Sequence, residues 1–259
     1  MNPWHGILLY GPQGSGKTYL AKASSSNENK STILTVSINS LRCNYNLIQE
    51  LFDTARSKKP AIILINDIDL LFSQKPVNAN EFLNQMDKVN ESKDNIFIIA
   101  TTNVPWTLDS SVIRRFEKRI FVPLPDFESR KALIKLNINE STAHLNGKEI
   151  DQISELTNGY SVADIKSVIK FAFLEPVNSI QSAEYFVMFN GTIFPCKSDQ
   201  PGAVKAKIQD FNAEQLKALV KPLSLFPGFT TACQKVKPLV SLSDLTKFEQ
   251  WTKEFGTEK

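Results

Sequence analysis

A glycine-rich stretch near the start of the chain limits the possible folds more than any other part of the sequence. Residues 11–18 read Gly-Pro-Gln-Gly-Ser-Gly-Lys-Thr and match the pattern G-x-x-x-x-G-K-[ST]. The apolar run 7–10 precedes them, and the helix-compatible run 19–23 follows. This strand–loop–helix order predicts a loop whose backbone N–H groups, together with a helix N-terminus, bind the phosphate oxygens of a nucleotide.

The lysine and the threonine of this loop would carry its chemistry. Lys17 would reach the β- and γ-phosphates of ATP, and the Thr18 hydroxyl would hold Mg²⁺. A flexible glycine-rich turn is the alternative, which the flanking strand and helix disfavour. The candidate residues for binding ATP or ADP are Pro12, Gln13, Gly14, Ser15, Gly16, Lys17, Thr18 and Tyr19.

Composition excludes several other classes of protein. A net charge of +3 without a Lys/Arg cluster argues against nucleic-acid binding. No apolar run approaches the length of a membrane span, and three scattered cysteines and two distant histidines do not form a zinc-binding pattern. We therefore expect a cytoplasmic protein with reduced thiols.

Short apolar runs alternate with helix-compatible stretches in the first half of the chain. The runs lie at 7–10, 32–38, 61–65, 95–100 and 119–122. Buried strands separated by helices are typical of a parallel sheet. The sequence predicts an α/β fold with a parallel, phosphate-binding sheet and flanking helices.

The pattern becomes mainly helical after Pro125. We predict a large α/β ATPase subdomain over 1–124 and a small helical subdomain over 125–259. Within the second, residues 185–211 predict a short β insertion, and residues 243–256 predict a C-terminal docking helix.

A capping box predicts a long helix in the second subdomain. Ser161 and Asp164 have the spacing of such a box. Apolar residues at helical spacing follow, and Pro176 is expected to end the helix.

The strand at 61–65 ends in carboxylates. Asn66, Asp67, Ile68 and Asp69 follow it directly. An ATPase with a phosphate-binding loop needs an acidic pair at such a strand end, to order the Mg²⁺ shell and to activate water. Asp67 is thus a candidate base, the alternative being a solvated carboxylate.

Residues 59–69 resemble the Walker B segment of AAA ATPases, which ends Asp-Glu-x-Asp. By that resemblance Asn66 stands at the position of the Mg²⁺-shell Asp, and Asp67 at that of the catalytic Glu. The resemblance implies a Mg²⁺ site formed by Thr18, Asn66 and Asp67. It also implies slow hydrolysis, because Asn is neutral and Asp is shorter than Glu by one methylene.

Two further segments resemble AAA motifs. Residues 98–103 resemble the sensor 1 strand, so Asn103 would orient the attacking water. Residues 108–116 resemble the second region of homology, in which Arg114 and Arg115 would be arginine fingers. An exposed arginine pair is otherwise most often solvated. Fingers imply head-to-tail self-association, and the family forms hexameric rings.

The rest of the chain narrows the resemblance to the ESCRT-III-disassembling branch of the meiotic clade. Residues 158–165 are similar to its sensor 2 segment, with Gly159 and Ala163 near the adenine; 175–186 and 248–256 resemble its later segments. The resemblance implies an ATP hydrolase with ESCRT-III subunits as substrates and an activator protein at the β insertion. It implies recruitment to endosomal membranes only through partners.

Some features depart from that family. The stretch between Leu41 and Leu47 is too short for the first pore loop, in which Tyr45 is the nearest aromatic residue, and 73–82 is shorter than the second. Val162 replaces a usual glycine, and we expect the N-terminal recruiting domain to be lacking. The alternative function is a hydrolysis-impaired regulatory or scaffold subunit that binds nucleotide but threads no substrate. A clamp-loader-like nucleic-acid ATPase is disfavoured by the near-balanced charge.

Overall fold

A computed structural model describes most of the chain in two compact units. It describes residues 4–26, 31–43, 45–73, 76–92, 94–138, 145–189, 192–212 and 226–257. One unit comprises Met1–Leu124 with Val240–Lys259, and the other comprises Pro125–Leu239. Asn44 and residues 74–75, which belong to the two predicted pore segments, lie outside the described residues.

The first unit is built on a five-stranded parallel sheet. The strands are β1 (Gly6–Tyr10), β2 (Thr32–Val36), β3 (Ala61–Ile65), β4 (Ile96–Thr102) and β5 (Lys118–Phe121), in the order β2-β3-β4-β1-β5. All four pairings are parallel. The predicted α/β class is confirmed.

Within the described residues, six α-helices connect these strands. They are α1 (Lys17–Ser26), α2 (Ile38–Cys43), α3 (Tyr45–Ser57), α4 (Asp69–Phe72), α5 (Pro76–Glu91) and α6 (Ser110–Ile113). Since β3 and β4 are the most buried strands, their carboxyl ends are held firmly at one edge of the sheet.

Alternation along the strands divides the core into two layers. Leu8 and Ile63 join the large cluster that α2–α6 complete, whereas Leu9, Ile62 and Leu64 face Ala21 of α1. Successive strand residues point to opposite faces, which explains this division. An apolar cavity of about 500 Å³ opens on the α1 side.

The last helix belongs to the first unit, in contrast to the predicted division at residue 125. This helix, α11 (Leu242–Phe255), buries Phe248 and Trp251 in the large core cluster. The Trp251 ring meets Tyr10 of β1 edge-on, with centroids 4.4 Å apart, and the Tyr10 hydroxyl donates to Thr252 Oγ1 at 2.9 Å. The helix covers apolar surface of the sheet, which decides its position more strongly than its place in the sequence.

The second unit is a helical cluster with a small antiparallel sheet. Its helices are α7 (Phe127–Asn137), α8 (Gly147–Leu156), α9 (Val162–Ser182) and α10 (Phe226–Lys235). The sheet has the order β7-β6-β8, from β6 (Tyr185–Phe189), β7 (Thr192–Cys196) and β8 (Val204–Lys205), and lies within the predicted insertion 185–211.

The expectation that Pro176 ends its helix is wrong, because α9 continues to Ser182. Proline lacks an N–H, so the Ala172 carbonyl, four residues earlier, loses its usual helical donor. Gly228 of α10 packs against that carbonyl so closely that a β-carbon there would lie 2.8 Å from the oxygen. The helix thus continues through the proline, and α10 packs closely against the turn that lacks this hydrogen bond.

Trp251→Ala should destabilise the first unit, because it removes a buried aromatic side chain and leaves a cavity. We expect the free energy of unfolding to fall by about 3–5 kcal/mol. Urea denaturation followed by tyrosine and tryptophan fluorescence and by circular dichroism would measure it. Leu242→Ala, on the exposed side of the same helix, is the control; equal losses in the two variants would contradict the docking of α11.

Candidate functional site

The glycine-rich loop lies between β1 and α1, as its sequence context predicts. Its first glycine, Gly11, has φ +149°, and a β-carbon there would lie 2.2 Å from the Val122 carbonyl oxygen, just after β5. Gly16, immediately before α1, has φ +98°, which disfavours other residues. The backbone therefore forms a tight concave turn at the N-terminus of α1, a geometry suited to anions.

Lys17 is folded back onto this loop. Its Nζ donates to the carbonyl oxygens of Gly11 at 2.8 Å and Pro12 at 2.7 Å. Burial lowers its pKa to about 8, although the carboxylates of Asp67 and Asp69 favour the charged form. A bound phosphate would replace two neutral acceptors with a negative one.

A hydroxyl pair connects the loop to the end of β3. Thr18 Oγ1 donates to Asn66 Oδ1 at 2.9 Å, and Thr101 Oγ1 donates to the same oxygen at 3.4 Å. Thr101 Oγ1 also accepts the backbone N–H of Asp67 at 3.2 Å. Asn66 thus presents an amide oxygen where a carboxylate would otherwise stand, and it carries no charge.

Asp67 adopts an uncommon conformation, with φ +53° for a non-glycine residue. Its Oδ1 accepts a hydrogen bond from Asn103 Nδ2 at 2.8 Å. Burial and then Asp69 raise the pKa of Asp67, whereas Lys17 and the Asn103 hydrogen bond lower it. Backbone strain of this kind is typical of functional sites, and the pair joins two residues predicted to act on one water molecule.

Two other residues at this edge of the sheet, Thr101 and Thr102, were not singled out by their sequence patterns. Thr101 bridges Asn66 and Asp67, while Thr102 Oγ1 donates to Asp69 Oδ1 at 2.6 Å. The Thr102 hydroxyl also accepts the N–H of Val104 at 3.1 Å. The repeated Thr-Thr directly before Asn103 was the available signal, because neighbouring parallel strands end at the same edge.

The two predicted arginine fingers differ in their surroundings. Arg115 pairs with Asp87 of α5 through two hydrogen bonds, which raises the pKa of the guanidinium further. Arg114 is exposed, and no hydrogen bond or ion pair from the described residues reaches its guanidinium. The two guanidinium groups therefore differ: that of Arg115 is bound to Asp87, whereas that of Arg114 is exposed to solvent.

The other predicted binding residues lie in different places. Gln13 and Tyr19 are exposed at the loop, whereas Ser15 is buried in it. Gly159, with φ +79°, and Ala163 lie in the second unit, at the start of α9; their predicted role near adenine stays a prediction. The structure thus brings together the loop, the Asn66–Asp67 segment and Asn103 within the first unit.

The oxygen donors at this edge of the sheet suit a Mg²⁺ ion that is also bound by substrate phosphates, rather than a metal ion bound by protein side chains alone. Thr18, Asn66 and Asp67 offer a hydroxyl, an amide oxygen and a carboxylate, and Mg²⁺ prefers oxygen ligands with substrate phosphates completing its shell. Within the described part of the chain, no three His, Cys, Asp or Glu side chains cluster as a metal site. These residues therefore fit a nucleotide-bound Mg²⁺.

Family comparisons divide the chain into two matched segments. Residues 7–124 match the family described as ATPase family associated with various cellular activities (AAA). Residues 193–256 match the Vps4 C terminal oligomerisation domain. Both matches agree with the order of the motifs along the sequence.

Whole-chain comparisons find similar proteins and structures. The chain is 34% identical to vacuolar protein sorting-associated protein 4B of Mus musculus, over 99% of this chain and 63% of that protein. The corresponding values for vacuolar protein sorting-associated protein 4 of Dictyostelium discoideum are 32%, 99% and 62%. The chain thus spans less than two thirds of the length of these curated relatives.

Solved structures agree with these relatives. The crystal structure of the FIGL-1 AAA domain in complex with ADP has a TM-score of 0.79 at 29% identity, covering 99% of this chain and 80% of that one. A structure reporting the basis of katanin self-assembly has a TM-score of 0.74 at 32% identity, covering 97% and 78%.

The lowered pKa of Lys17 predicts a pH-dependent affinity for ATP. Because the ammonium is lost as the pH rises through about 8, the dissociation constant for ATP should increase by up to about tenfold between pH 7 and pH 9. Isothermal titration calorimetry would measure this change. Lys17→Arg, which stays charged throughout, is the control. A flat native profile would contradict either the lowered pKa of Lys17 or the contribution of its charge to ATP binding.

Proposed function

The chain belongs to the AAA family of ATPases, and on this premise we propose that it binds and hydrolyses ATP, slowly, in a self-associated ring. The Asp67–Asn103 pair beside the Lys17 loop carries this proposal. It places a carboxylate and an amide at one edge of the sheet, next to the loop that would hold the γ-phosphate. These are the groups that a hydrolytic site needs in order to orient and deprotonate water.

Each residue would act on a stated part of the nucleotide. The loop N–H groups and the Lys17 ammonium would bind the β- and γ-phosphates. The Asp67 carboxylate would accept a proton from the attacking water, and Asn103 would fix the direction of that carboxylate. Thr18, Asn66 and Asp67 would hold Mg²⁺, which neutralises charge on the phosphate oxygens when it is bound.

Asn66 explains why we expect slow hydrolysis. It accepts hydrogen bonds from two hydroxyl groups, as a carboxylate would, yet it brings no charge to the metal shell. Asp67 is also shorter than the family's glutamate, and a displacement of about 1 Å at a reacting group can cost about a hundredfold in rate.

The C-terminal match supports self-association, and a hexamer is the expected ring. Relatives named for vacuolar protein sorting support a role in dismantling ESCRT-III polymers, with ESCRT-III subunits as substrates and an activator protein bound at the β insertion. We place the protein in the cytoplasm, recruited to endosomal membranes by partners. No helix in the described ranges is both long and apolar enough to span a membrane.

The short first pore segment favours a second candidate function. Helix α2 ends at Cys43 and α3 begins at Tyr45, so a single residue separates them. A chain without a substrate-gripping loop would serve as a nucleotide-binding scaffold or regulatory subunit. Its ring contacts would then support an active neighbour.

Turnover measured against protein concentration tests the hydrolase proposal. We expect the native rate per subunit to rise with concentration, because assembly would bring arginines to neighbouring nucleotides. Asn66→Asp combined with Asp67→Glu should raise turnover by about tenfold to a hundredfold, since it restores charge and reach.

Lys17→Ala is the control and should abolish ATP binding. If Lys17→Ala hydrolysed ATP at the native rate, the assignment of the site would be wrong. Native ATP binding without turnover, together with turnover in the double variant, would favour the regulatory function.

A further inference from the structure

Two adjacent arginines stand on one rigid turn. The turn follows α6 and is anchored by Val112, Ile113 and Phe116, which are buried in the large core cluster. The backbone N–H of Arg114 bonds to the Ser110 carbonyl, and that of Arg115 bonds to the Val112 carbonyl. The backbone positions of Arg114 and Arg115 are therefore fixed by this turn.

The Arg115 guanidinium is occupied along two edges. Its Nε donates to Asp87 Oδ1 at 2.7 Å, and its Nη2 donates to Asp87 Oδ2 at 2.6 Å. Its Nη1 donates to the Ser111 carbonyl oxygen at 2.7 Å. A phosphate recognised by this group would need one of these same edges, because guanidinium forks bind oxyanions through paired N–H groups.

Asp87 is held in place by its own helix. The neighbouring residues Met86 and Val89 are buried in the core on the inner side of α5. The carboxylate cannot follow Arg115 toward another subunit without moving that helix. The pair therefore ties the turn after α6 to α5.

Arg114 has none of these restraints. It is exposed, and no hydrogen bond or ion pair reaches its guanidinium from the described residues. A group that stabilises charge on a neighbour's phosphate has to be free to extend.

We propose that Arg114 is the guanidinium that this chain presents to a neighbouring nucleotide, and that Arg115 is a positioning residue, held by Asp87 to keep the turn in place. The proposal rests on the proposed function and goes beyond it, because the family resemblance implies that both arginines are fingers. It assigns a role to Asp87, which no sequence motif contains.

Asp87→Asn separates the two roles of Arg115 by the sign of its effect. The amide keeps one acceptor oxygen and replaces the other with an NH₂ donor, which faces a guanidinium N–H, so the two-point clamp and its charge are lost. If Arg115 is a positioning residue, the variant should lower turnover by about threefold, as Arg115→Ala should. If Arg115 is a finger that Asp87 holds back, freeing it should leave turnover unchanged or raise it.

A charge swap provides the second comparison. Asp87→Arg with Arg115→Asp re-forms the ion pair but removes the guanidinium from position 115. It should restore turnover toward the native rate, whereas a catalytic Arg115 would leave the swap as impaired as Arg115→Ala. Glu91→Gln, an exposed carboxylate on the same helix, is the matched control and should have no effect.

The loss of turnover in Arg114→Ala is the reference with which the losses in the other variants are compared. This variant should lower turnover by at least about tenfold, because a missing finger removes charge stabilisation in the transition state. All variants should also be compared by sedimentation velocity with Mg²⁺ and adenylyl imidodiphosphate, which measures nucleotide-dependent assembly even when turnover is low. The order of loss should be the same: Arg114→Ala most, Asp87→Asn and Arg115→Ala less, the swap and Glu91→Gln least.

The outcomes distinguish this inference from the function beneath it. A native protein that does not bind ATP overturns the proposed function, and the inference with it. A native protein that binds ATP but neither assembles nor turns over cooperatively overturns the role of Arg114 alone. Unchanged or faster turnover in Asp87→Asn, or stronger assembly, overturns the positioning role of Arg115 while the hydrolase proposal stands.

Discussion

The Thr101 hydroxyl joins the ends of two parallel strands, and the geometry of the candidate site depends on this junction. It donates to the Asn66 side chain and accepts the backbone N–H of Asp67. The register that pairs Ile65 with Ala100 brings these residues opposite one another. Carboxyl ends of parallel strands meet at one edge, so a single hydrogen-bonded junction orders both the metal-side amide and the candidate base.

The same junction can be formed with a neutral side chain at position 66. An asparagine at position 66 keeps the oxygen that Thr18 and Thr101 need, and so the strand end retains its shape. The burial of Lys17 and the raised pKa of Asp67 both reflect an enclosed site. Perturbed pKa values of this kind are typical of functional sites and agree with the nucleotide-binding role proposed for this edge of the sheet.

Sequence patterns predicted the parallel sheet and the phosphate-binding loop, and the family resemblance named Asp67 and Asn103 as site residues. These predictions depend on local periodicity and on motifs whose residues are close in sequence. They were wrong for the end of α9, because Pro176 removes one helical hydrogen bond without ending the helix, which continues to Ser182. They also assigned the last helix to the second subdomain, since an aromatic stripe identifies a buried face but not the surface that buries it.

The sequence by itself determined which chemical groups are available: a glycine loop ending in Lys17 and Thr18, and a neutral Asn66 before Asp67. Only the tertiary structure decided that Arg115 is paired and that the guanidinium of Arg114 is exposed. Asp87 lies 28 positions before Arg115 and reaches it through the packing of α5. Local patterns record the identity and spacing of neighbours, whereas contacts between distant segments depend on how helices pack on the sheet.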